Sequence, residues 1–515
     1  MKFISAESMR NAEKLAIEMF GVPGLRLMEA AGSNCADVIF SEFGGDKSLR
    51  VAIFAGKGNN GGDGYVIARY LQRQGWQVRI FVMANRDDIA GDAAVNLDFL
   101  EKETVTFCSE PGHLGRYAHE VHAADILVDA LFGIGFKSGI QGVYAEAVEL
   151  INSSGKPVVA VDIPSGVDSS TGRVPGVAVH ADLTVTFAFA KSGHVLYPGA
   201  EFTGRLKVVD IGLPDEVFAT VEGFEFLDDE AIRPFLRKRD RCAHKGDYGH
   251  CLIVAGSTGK TGAASLTANS AVRTGSGLVT LAIPASLNPI LEVKTTEAMT
   301  LPLADSGKGF FGENHAGEVL RALSGKNAVA VGPGVALNPE TAALIRRLVK
   351  EIPLPMVIDA DGLNAVSENV SVLLRKKSDC VILTPHPGEM SRLSGMSVGE
   401  IEADRIAAAR DFAGKYGVCV VLKGARSVIA APDGRIAING SGNPGMASGG
   451  MGDVLTGIIV SLLGQRYSAF DACRAGVFLH GYAADLVADE KGEIGISAMD
   501  VQERIPLALK KLMAV

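Results

Sequence analysis

The sequence predicts an α/β protein built from two doubly wound domains. Its 515 residues exceed what one hydrophobic core usually supports, and 47% of them are hydrophobic, which is ample for two cores. Short, continuously apolar runs alternate with helical stretches, as in parallel sheets that helices cover on both faces. The acidic, apolar-poor residues 215–230 interrupt this alternation, so we expect one domain over residues 1–222 and a second over residues 223–515.

The first domain opens with two helical stretches. The first runs from about residue 7 to residue 20, where Gly21 and Pro23 give the usual stop signals, and the second runs from residue 24 to residue 40. Apolar strands are then expected at residues 50–55, 76–83, 125–130, 157–163, 182–189 and 206–211.

A glycine-rich loop follows the first of these strands, at residues 56–64. It matches the dinucleotide fingerprint G-x-G-x-x-G, but the place of the acidic residue that should hold the ribose reads VMA at residues 82–84. An NAD-dependent dehydrogenase is therefore disfavoured. Asn59, Asn60 and Asp63 suit a polar ligand or a cation, and the alternative is a tight turn in which Asn and Gly supply positive φ.

Two later strands of this domain end in an aspartate. Asp129 closes the run DILVDA, and Asp162 closes VVAVDI. Ligands of open α/β sheets lie at the carboxyl ends of the strands, where a carboxylate can coordinate a cation or transfer a proton. The alternative is that each aspartate caps the turn that follows it.

The second domain repeats the pattern of apolar strands and polar turns. Strands are expected at residues 251–257, 278–284, 328–332, 356–359, 381–383 and 418–422, with a helix that ends near Thr274. The turn at 258–264 is not a Walker A loop, because the required upstream glycine is replaced by Val254. The polar turns after these strands together predict a ligand crevice.

Three of these turns carry candidate ligand-binding groups. His386 is held between two prolines and is expected to face a ligand. Residues 423–427 offer a cation, backbone amides and a hydroxyl to phosphate oxygens. Asp359 and Asp361 could hold magnesium or could simply turn the chain.

The densest glycine loop lies at residues 439–463, NGSGNPGMASGGMGDVLTGIIVSLL, and runs into a helical segment. Glycine amides and the helix dipole favour an anion such as a phosphate. Asp453 among those amides is expected to stay ionised and to take a proton from an attacking hydroxyl. The alternative is a long surface turn.

Composition limits the class of partner. A formal charge of −9 with interspersed signs argues against nucleic acid and anionic membranes and favours small molecules. There is no signal h-region and no apolar run near the ~20 residues that span a bilayer, so a cytoplasmic protein is expected. Seven scattered cysteines without a C-x-x-C pair predict neither a disulfide framework nor a zinc site.

The motifs of the first domain resemble the NAD(P)HX epimerase domain, which has a Rossmann-like three-layer sandwich fold. The resemblance rests on GNNGGDGYV at 58–66, VDALFGIGF at 128–136 and VDIPSGVD at 161–168. It implies inversion of the hydroxyl-bearing C6 of hydrated NADH or NADPH, with potassium held by Asn60, Asp129 and Ser165 and acid/base work by Asp162. The hydrated nucleotide would be bound by Asn59, Asn60, Gly61, Gly62, Asp63, Gly133, Ile134, Gly135, Phe136, Lys137, Ser138, Gly139 and Asp162.

The second domain resembles the ADP-dependent NAD(P)HX dehydratases, relatives of the ribokinase-like kinases. TPHPGEMSRL at 384–393 and GNPGMASGGMGDVLTG at 442–457 carry this resemblance. It implies that ADP phosphorylates the S epimer with magnesium present, that phosphate is then eliminated to give NADH or NADPH, and that Asp453 is the base. The hydrated nucleotide would contact Ala263, Gly334, His386 and Asp453, and the adenine nucleotide would contact Lys423, Gly424, Ala425, Arg426, Ser427 and Gly452.

Two other functions remain open at this stage. A kinase for a small hydroxylated metabolite would use the same glycine loop and aspartate, but it would leave a stable phosphorylated product. A non-catalytic nucleotide sensor would bind through the first domain without exchanging epimers. The family resemblance also leads us to expect a homo-oligomer.

Overall fold

The computed structural model describes residues 2–44, 49–136 and 138–514. The chain divides into two compact units, Met1–Phe224 and Glu225–Val515. Both units are α/β with parallel sheets, as the sequence predicts.

The first unit contains a parallel sheet of seven strands among the described residues, in the order β4-β3-β2-β5-β6-β7-β9. A separate short pair joins β1 to β8. The strands are β1 (Lys2–Ile4), β2 (Arg50–Ala55), β3 (Gln77–Val82), β4 (Val105–Phe107), β5 (Ile126–Ala130), β6 (Val158–Val161), β7 (Leu183–Phe187), β8 (Ala190–Lys191) and β9 (Arg205–Val209). The helices are α1 (Ala6–Glu18), α2 (Gly24–Phe43), α3 (Asn59–Arg73), α4 (Gly91–Asp98), α5 (Ala118–Ala123), α6 (Val143–Ser153), α7 (Gly199–Thr203) and α8 (Asp215–Thr220).

Alternate residues of these strands enter two different cores, so both faces of the sheet are covered. Ile53 of β2 packs in a cluster with residues of α1, α2 and α3, whereas its neighbour Phe54 packs with residues of α5 and α6. This two-sided burial is the reason that the strands are apolar without alternation.

The second unit contains a longer sheet, in the order β13-β12-β11-β14-β15-β16-β17-β18-β19-β10 over the described residues. Its strands are β10 (Phe224–Leu227), β11 (His250–Val254), β12 (Leu278–Pro284), β13 (Met299–Leu303), β14 (Ala328–Val331), β15 (Met356–Ile358), β16 (Val381–Leu383), β17 (Cys419–Leu422), β18 (Val428–Ala430) and β19 (Ile436–Asn439). Its helices are α9 (Asp229–Ile232), α10 (Thr261–Arg273), α11 (Asn288–Lys294), α12 (Ala316–Arg321), α13 (Pro339–Glu351), α14 (Asp361–Ser367), α15 (Pro387–Ser394), α16 (Val398–Ala403), α17 (Arg405–Tyr416), α18 (Met451–Gly464), α19 (Ala469–Lys491) and α20 (Ala498–Met513). The strands from β13 to β17 are parallel, while β18 pairs antiparallel with both of its neighbours.

The seven cysteines are free thiols with different exposure. Cys242 is exposed and Cys380 is half-buried, while the other five are buried. This agrees with the expectation of ordinary thiols without a disulfide framework. In the part of the chain that the structure describes, no helix combines the length and the apolar character needed to cross a bilayer.

Candidate active sites

The first candidate site lies where α3 begins, at the end of β2. The glycine-rich segment belongs to this helix from Asn59 onward, so the loop is shorter than the sequence suggests. A Cβ on Gly61 would lie 2.0 Å from the carbonyl oxygen of Gly56, and a Cβ on Gly64 would lie 2.8 Å from the methyl carbon of Ala130. Close packing of the first helical turn against the strand ends therefore requires these glycines. Gly58 has open space instead, with no heavy atom within 4 Å of its Cβ position.

Asp129 and Ser165, two predicted potassium ligands, meet beside this helix. Both are buried, and Asp129 accepts hydrogen bonds from the Ser165 hydroxyl at 2.6 Å and the Ser165 amide at 2.7 Å. Burial raises the pKa of Asp129 to about 6, although its hydrogen bonds from Ser165 oppose the rise. The third predicted ligand, Asn60, is close by, because its Oδ1 lies 3.2 Å from the Cβ position of Gly133.

The donor set fits a hard monovalent cation. Among the described residues Asp129 has no ion-pair partner, so a bound cation would balance a buried carboxylate. The side-chain nitrogen of Asn60 is buried without a hydrogen-bond partner in the described structure. Carboxylate, hydroxyl and amide oxygens are the ligand types that such an ion prefers.

Asp162, the predicted acid/base residue, is held by a buried lysine. Its Oδ1 accepts from Lys191 Nζ at 2.5 Å and from the Thr186 hydroxyl at 2.9 Å, and Lys191 is fully buried. Burial alone would raise the pKa of Asp162, but the charge and hydrogen bond of Lys191 outweigh it and lower the pKa. Asp162 is therefore ionised, which suits a base.

His194 fixes the backbone of the same aspartate. Its Nδ1 accepts from the Lys191 amide at 3.0 Å, and its Nε2 lies 2.8 Å from the Asp162 carbonyl oxygen, to which it donates as a neutral ring. Burial and the charge of Lys191 lower the pKa of His194 to about 4, which keeps the ring neutral. Asp162 itself has a φ of 66°, a left-handed backbone that this bond supports.

The remaining predicted residues of this site follow β5. In the loop after this strand the Phe132 and Phe136 rings pack at a tilt, with centroids 5.2 Å apart, and Ser169 donates to the Ile134 carbonyl at 3.4 Å. Gly139 lies against Pro175, Gly135 is exposed with open space around it, and Ser138 is exposed. Lys137 lies outside the described residues.

The second candidate site lies at the start of α18. Gly450 caps this helix with a φ of 90°, and Asp453 is in its first turn. The expectation that Asp453 stays ionised was wrong. Burial and then the charge of Asp359 raise its pKa to about 7, and these effects outweigh the opposing charge of Lys423.

A buried ion pair lies beneath the glycines of this loop. Lys423 Nζ donates to Asp359 Oδ1 at 2.9 Å, and the Thr456 hydroxyl donates to the other oxygen at 2.7 Å. A Cβ on Gly452 would lie 3.4 Å from Lys423 Nζ, so this lysine is next to the glycine-rich segment 444–453, which we call the anion loop. Glu389 adds a carboxylate 3.6 Å from Lys423, and these acids raise the lysine pKa although burial opposes them.

The two aspartates considered for magnesium both bind lysines instead. Asp359 binds Lys423, and Asp361 accepts from Lys260 at 2.8 Å. Both oxygens of Asp359 are engaged, by Lys423 and Thr456, whereas the bonds to Asp361 from Lys260 and from the Ala336 amide both use its Oδ2. Among the described residues no group of three His, Cys, Asp or Glu could hold a metal ion.

The predicted phosphate loop at residues 423–427 has a constrained backbone. Gly424 has a φ of 150°, and a Cβ there would lie 2.6 Å from the Arg405 guanidinium. Arg426 has a positive φ of 56°, and it donates to the Gly440 carbonyl oxygen, which joins this loop to the glycine loop. The Ser427 hydroxyl donates to Gly424 at 3.1 Å, and Ala425 accepts from Arg405.

Ala263, Gly334 and His386 line neighbouring strand ends. The Cβ position of Gly334 is 3.0 Å from the Ala263 methyl, so a larger residue would fill the space between them. His386 caps α15, with its Nδ1 accepting from the Gly388 amide at 3.0 Å, and its side chain is 52% exposed. An exposed ring that is fixed by a cap is available to a ligand, as the sequence predicts.

Helix α19 clamps the turn that precedes the anion loop. Asp485 accepts from the Gly442 amide and from the Asn443 side chain, both at 2.8 Å. The Ser441 hydroxyl donates to the Phe478 carbonyl of the same helix at 2.8 Å. The sequence did not predict Asp485, Lys191 or His194, because each comes from an element that is distant in the chain from the residues it holds.

Comparison with known proteins finds relatives for both units. Residues 24–193 match the family model described as YjeF-related protein N-terminus, and residues 251–507 match that described as NAD(P)H-hydrate dehydratase. The bifunctional NAD(P)H-hydrate repair enzyme of Moorella thermoacetica is 41% identical over 99% of this chain and 97% of its own length. That of Escherichia coli is 34% identical over 96% of this chain and 92% of its own length.

The chain belongs to the bifunctional NAD(P)H-hydrate repair enzymes.

A solved structure supports the fold of the second unit. A ribokinase-like superfamily protein from Enterococcus faecalis matches with a TM-score of 0.50 and 22% identity, over 56% of this chain and 96% of that chain. The family resemblance drawn from the motifs is confirmed, and the repair enzyme carries an epimerase and a dehydratase domain.

Proposed function

We propose that the two candidate sites act in sequence on hydrated NADH and NADPH. The first site interconverts the R and S epimers, and the second dehydrates the S epimer at the expense of ADP, giving AMP and phosphate. The observation that carries this proposal is Asp453, which stands at the N-terminus of α18 with a pKa of about 7 beside an anion-binding glycine loop.

The dehydratase step follows from the residues around Asp453. This carboxylate takes the proton of the C6 hydroxyl as its oxygen attacks the β-phosphorus of ADP, and AMP leaves. The amides after Gly449 and the helix N-terminus stabilise charge on the phosphoryl group as it transfers. The C6–O bond then breaks, phosphate leaves, and loss of a proton from C5 restores the double bond.

Two ions complete the proposed sites. Potassium would be held by Asn60, Asp129 and Ser165, where its charge would orient the polar groups of the hydrated nucleotide. Magnesium would bind through the ADP phosphates and offset their charge. Homo-oligomeric assembly and a cytoplasmic location stay predictions.

The test compares wild type with Asp453→Asn on the pure S epimer, with ADP, magnesium and potassium. Recovery of the near-ultraviolet absorbance of reduced nicotinamide should fall by about 10²-fold or more in the variant. A stable phosphorylated product in place of free phosphate would contradict the proposal and would favour a metabolite kinase.

A further inference from the structure

The N-terminal segment of the chain forms part of the epimerase site, although the matched family region starts only at residue 24. Strand β1 pairs with β8 in a register that places Ile4 opposite Lys191, the lysine that binds Asp162. The Ala6 amide at the start of α1 donates to the Ser170 hydroxyl at 3.0 Å, and the Ser170 carbonyl accepts from Ser192 at 2.6 Å. Helix α1 is thereby fixed next to the predicted acid/base residue.

This helix brings a third carboxyl group into the site. Glu13 lies one turn beyond the buried residue Met9 and is itself half-buried. It interacts electrostatically with Asp162, Lys191 and Asp63, and Arg10 of its own helix is the further charge that faces it. One buried ammonium, Lys191, thus binds Asp162 and acts through its charge on Glu13 and Asp63, so the cluster cannot hold three full negative charges at low cost.

The three carboxyl groups differ in their protonation. Asp162 is ionised because it binds Lys191 directly. Burial and then the charge of Asp162 raise the pKa of Glu13 to about 7, and the same causes raise that of Asp63 well above its usual range. A site that holds one ionised and one protonated carboxyl group has the two groups needed for acid/base chemistry.

We propose that Glu13 is the general acid of the epimerase reaction and that the ionised Asp162 is its base. This proposal rests on the epimerase function proposed for the first unit. Asp162 takes the proton of the C6 hydroxyl, the C6–N1 bond breaks as the C6 carbonyl forms, and the electron pair left on N1 takes the proton of Glu13. Rotation about C5–C6 turns the other face of the carbonyl to N1, which attacks it, returns its proton to Glu13 and leaves the new hydroxyl with the proton from Asp162.

The experiment measures epimer exchange on the pure R epimer in the full chain, against the uncatalysed exchange. Glu13→Gln should lower the catalysed rate by about 10²-fold, since general acid catalysis is worth 10²–10⁴. Glu7→Gln, an exposed position on the same helix, is the matched control and should keep the wild-type rate. Trp76 is the single tryptophan of the sequence and is buried in the first unit, so its fluorescence reports whether each variant is folded there.

The pH profile separates an acid from a structural residue. Because Glu13 must be protonated, the wild-type rate should fall as pH rises through about 7. Arg10 lowers the pKa of Glu13, so Arg10→Gln should move this descending limb to higher pH while Glu13 remains in place. The shift should be larger at low ionic strength.

Each outcome decides the proposal. The proposal is overturned if Glu13→Gln exchanges the epimers at a rate within about threefold of wild type. It is also overturned if Arg10→Gln leaves the descending limb of the pH profile at the wild-type pH. If Glu13→Gln does not fold, the pH of the descending limb in Arg10→Gln decides whether the proposal stands. A wild-type chain that does not accelerate epimer exchange would instead remove the proposed epimerase function itself.

Discussion

Asp453, the proposed base of the dehydratase, is expected to affect both catalysis and stability. Its carboxyl group titrates at about 7 because burial and the nearby Asp359 disfavour its charge. A base with this pKa is matched to neutral pH, where it is partly ionised and still strong enough to take a proton. The same burial lowers the free energy of unfolding when Asp453 is ionised.

The dehydratase rate should therefore rise with pH. Asp453 must lose its proton to act as the base, so we expect the single-turnover rate on the S epimer to increase through about pH 7 and then level off. Rapid-quench measurements with saturating ADP would check this. A rate that is flat from pH 5 to pH 8 would exclude Asp453 as the base.

The stability of the second unit should change in the opposite direction. The folded state keeps the proton of Asp453 up to about pH 7, whereas the unfolded state loses it near 3.8, so this group's contribution to stability falls as pH rises between these values. Asp453→Asn removes the buried charge and should raise the free energy of unfolding by about 2 kcal/mol at pH 8, with little change at pH 4. Calorimetry at both pH values measures the difference, and equal effects at the two would contradict this cause.

Lys191 should be the most costly lysine to replace in the first unit. Lys191→Met leaves the charge of Asp162 buried without a partner, so we expect a loss of about 3–5 kcal/mol. Lys207→Met is the matched control, because Lys207 makes an exposed ion pair with Glu42 and should cost less than about 1 kcal/mol. Urea unfolding followed by Trp76 fluorescence compares them, and adding Asp162→Asn to Lys191→Met should restore part of the loss.

Residues that share a motif were predictable, and residues that meet only through the fold were not. The sequence placed Asp129 with Ser165 through the family pattern, and the structure brings them into contact. The resemblance did not include Lys191, which binds Asp162 from β8, or Glu13 of α1, which interacts with Asp162 electrostatically. An isolated lysine after the apolar run at 182–190 was the available signal, since lysine is rarely buried unless it is paired.

At the scale of elements, helix α19 sets the position of the anion loop. Its Asp485 holds the turn at Gly442 and Asn443, which is followed by the loop that ends at Asp453. A cavity of about 480 Å³ opens beside this turn, lined by Pro444, Gly445, Ala447, Ser448 and residues 493–497. The loop is thus supported from one side by a helix and is open on another.

Replacing this clamp should weaken the dehydratase without touching the reacting groups. Asp485→Ala removes both acceptors, so the Gly442 amide and the Asn443 side chain lose their partner, and we expect the KM for ADP to rise about tenfold. Asp489→Ala, an exposed position one turn later, is the control. Steady-state kinetics with the S epimer would measure both variants, and equal KM values would show that the turn holds without α19.

Most of the longer parallel strands were predicted, whereas β13 and short strands such as β4, β18 and β19 were not. Apolar runs such as those of β2, β5 and β16 are unbroken because both faces are buried, which gives a clear signal. Strands β18 and β19 are three and four residues long, and β13 contains a proline, so their patterns are weak. The start of α3 was also missed, because glycines usually mark loops and here they serve close packing.

The whole molecule consists of two units with separate cores. One hydrophobic cluster contains Ile53 and Val128 of the first unit, and another contains Ile253 and Ile459 of the second. Strand β10 pairs with β19 inside the second unit, while Lys2 donates to the Val221 carbonyl inside the first. Each unit therefore has its own basis for folding.

We expect the two activities to survive when the chain is divided. Residues 1–222 alone should exchange the R and S epimers, and residues 223–515 alone should recover reduced nucleotide from the S epimer but not accelerate use of the R epimer. Mixing the two fragments should restore rapid use of both. Fragments that are folded but inactive would show that an activity needs the intact chain.

Because the cysteines differ in exposure, Cys242 can be labelled selectively with a fluorescent dye. Cys242 of the second unit is exposed, whereas burial raises the pKa of the half-buried Cys380 to about 11 and slows its reaction with alkylating dyes. The single tryptophan, Trp76, lies in the first unit. An acceptor dye on Cys242 would therefore pair with one donor only, so energy transfer between Trp76 and Cys242 can be measured without any engineered substitution.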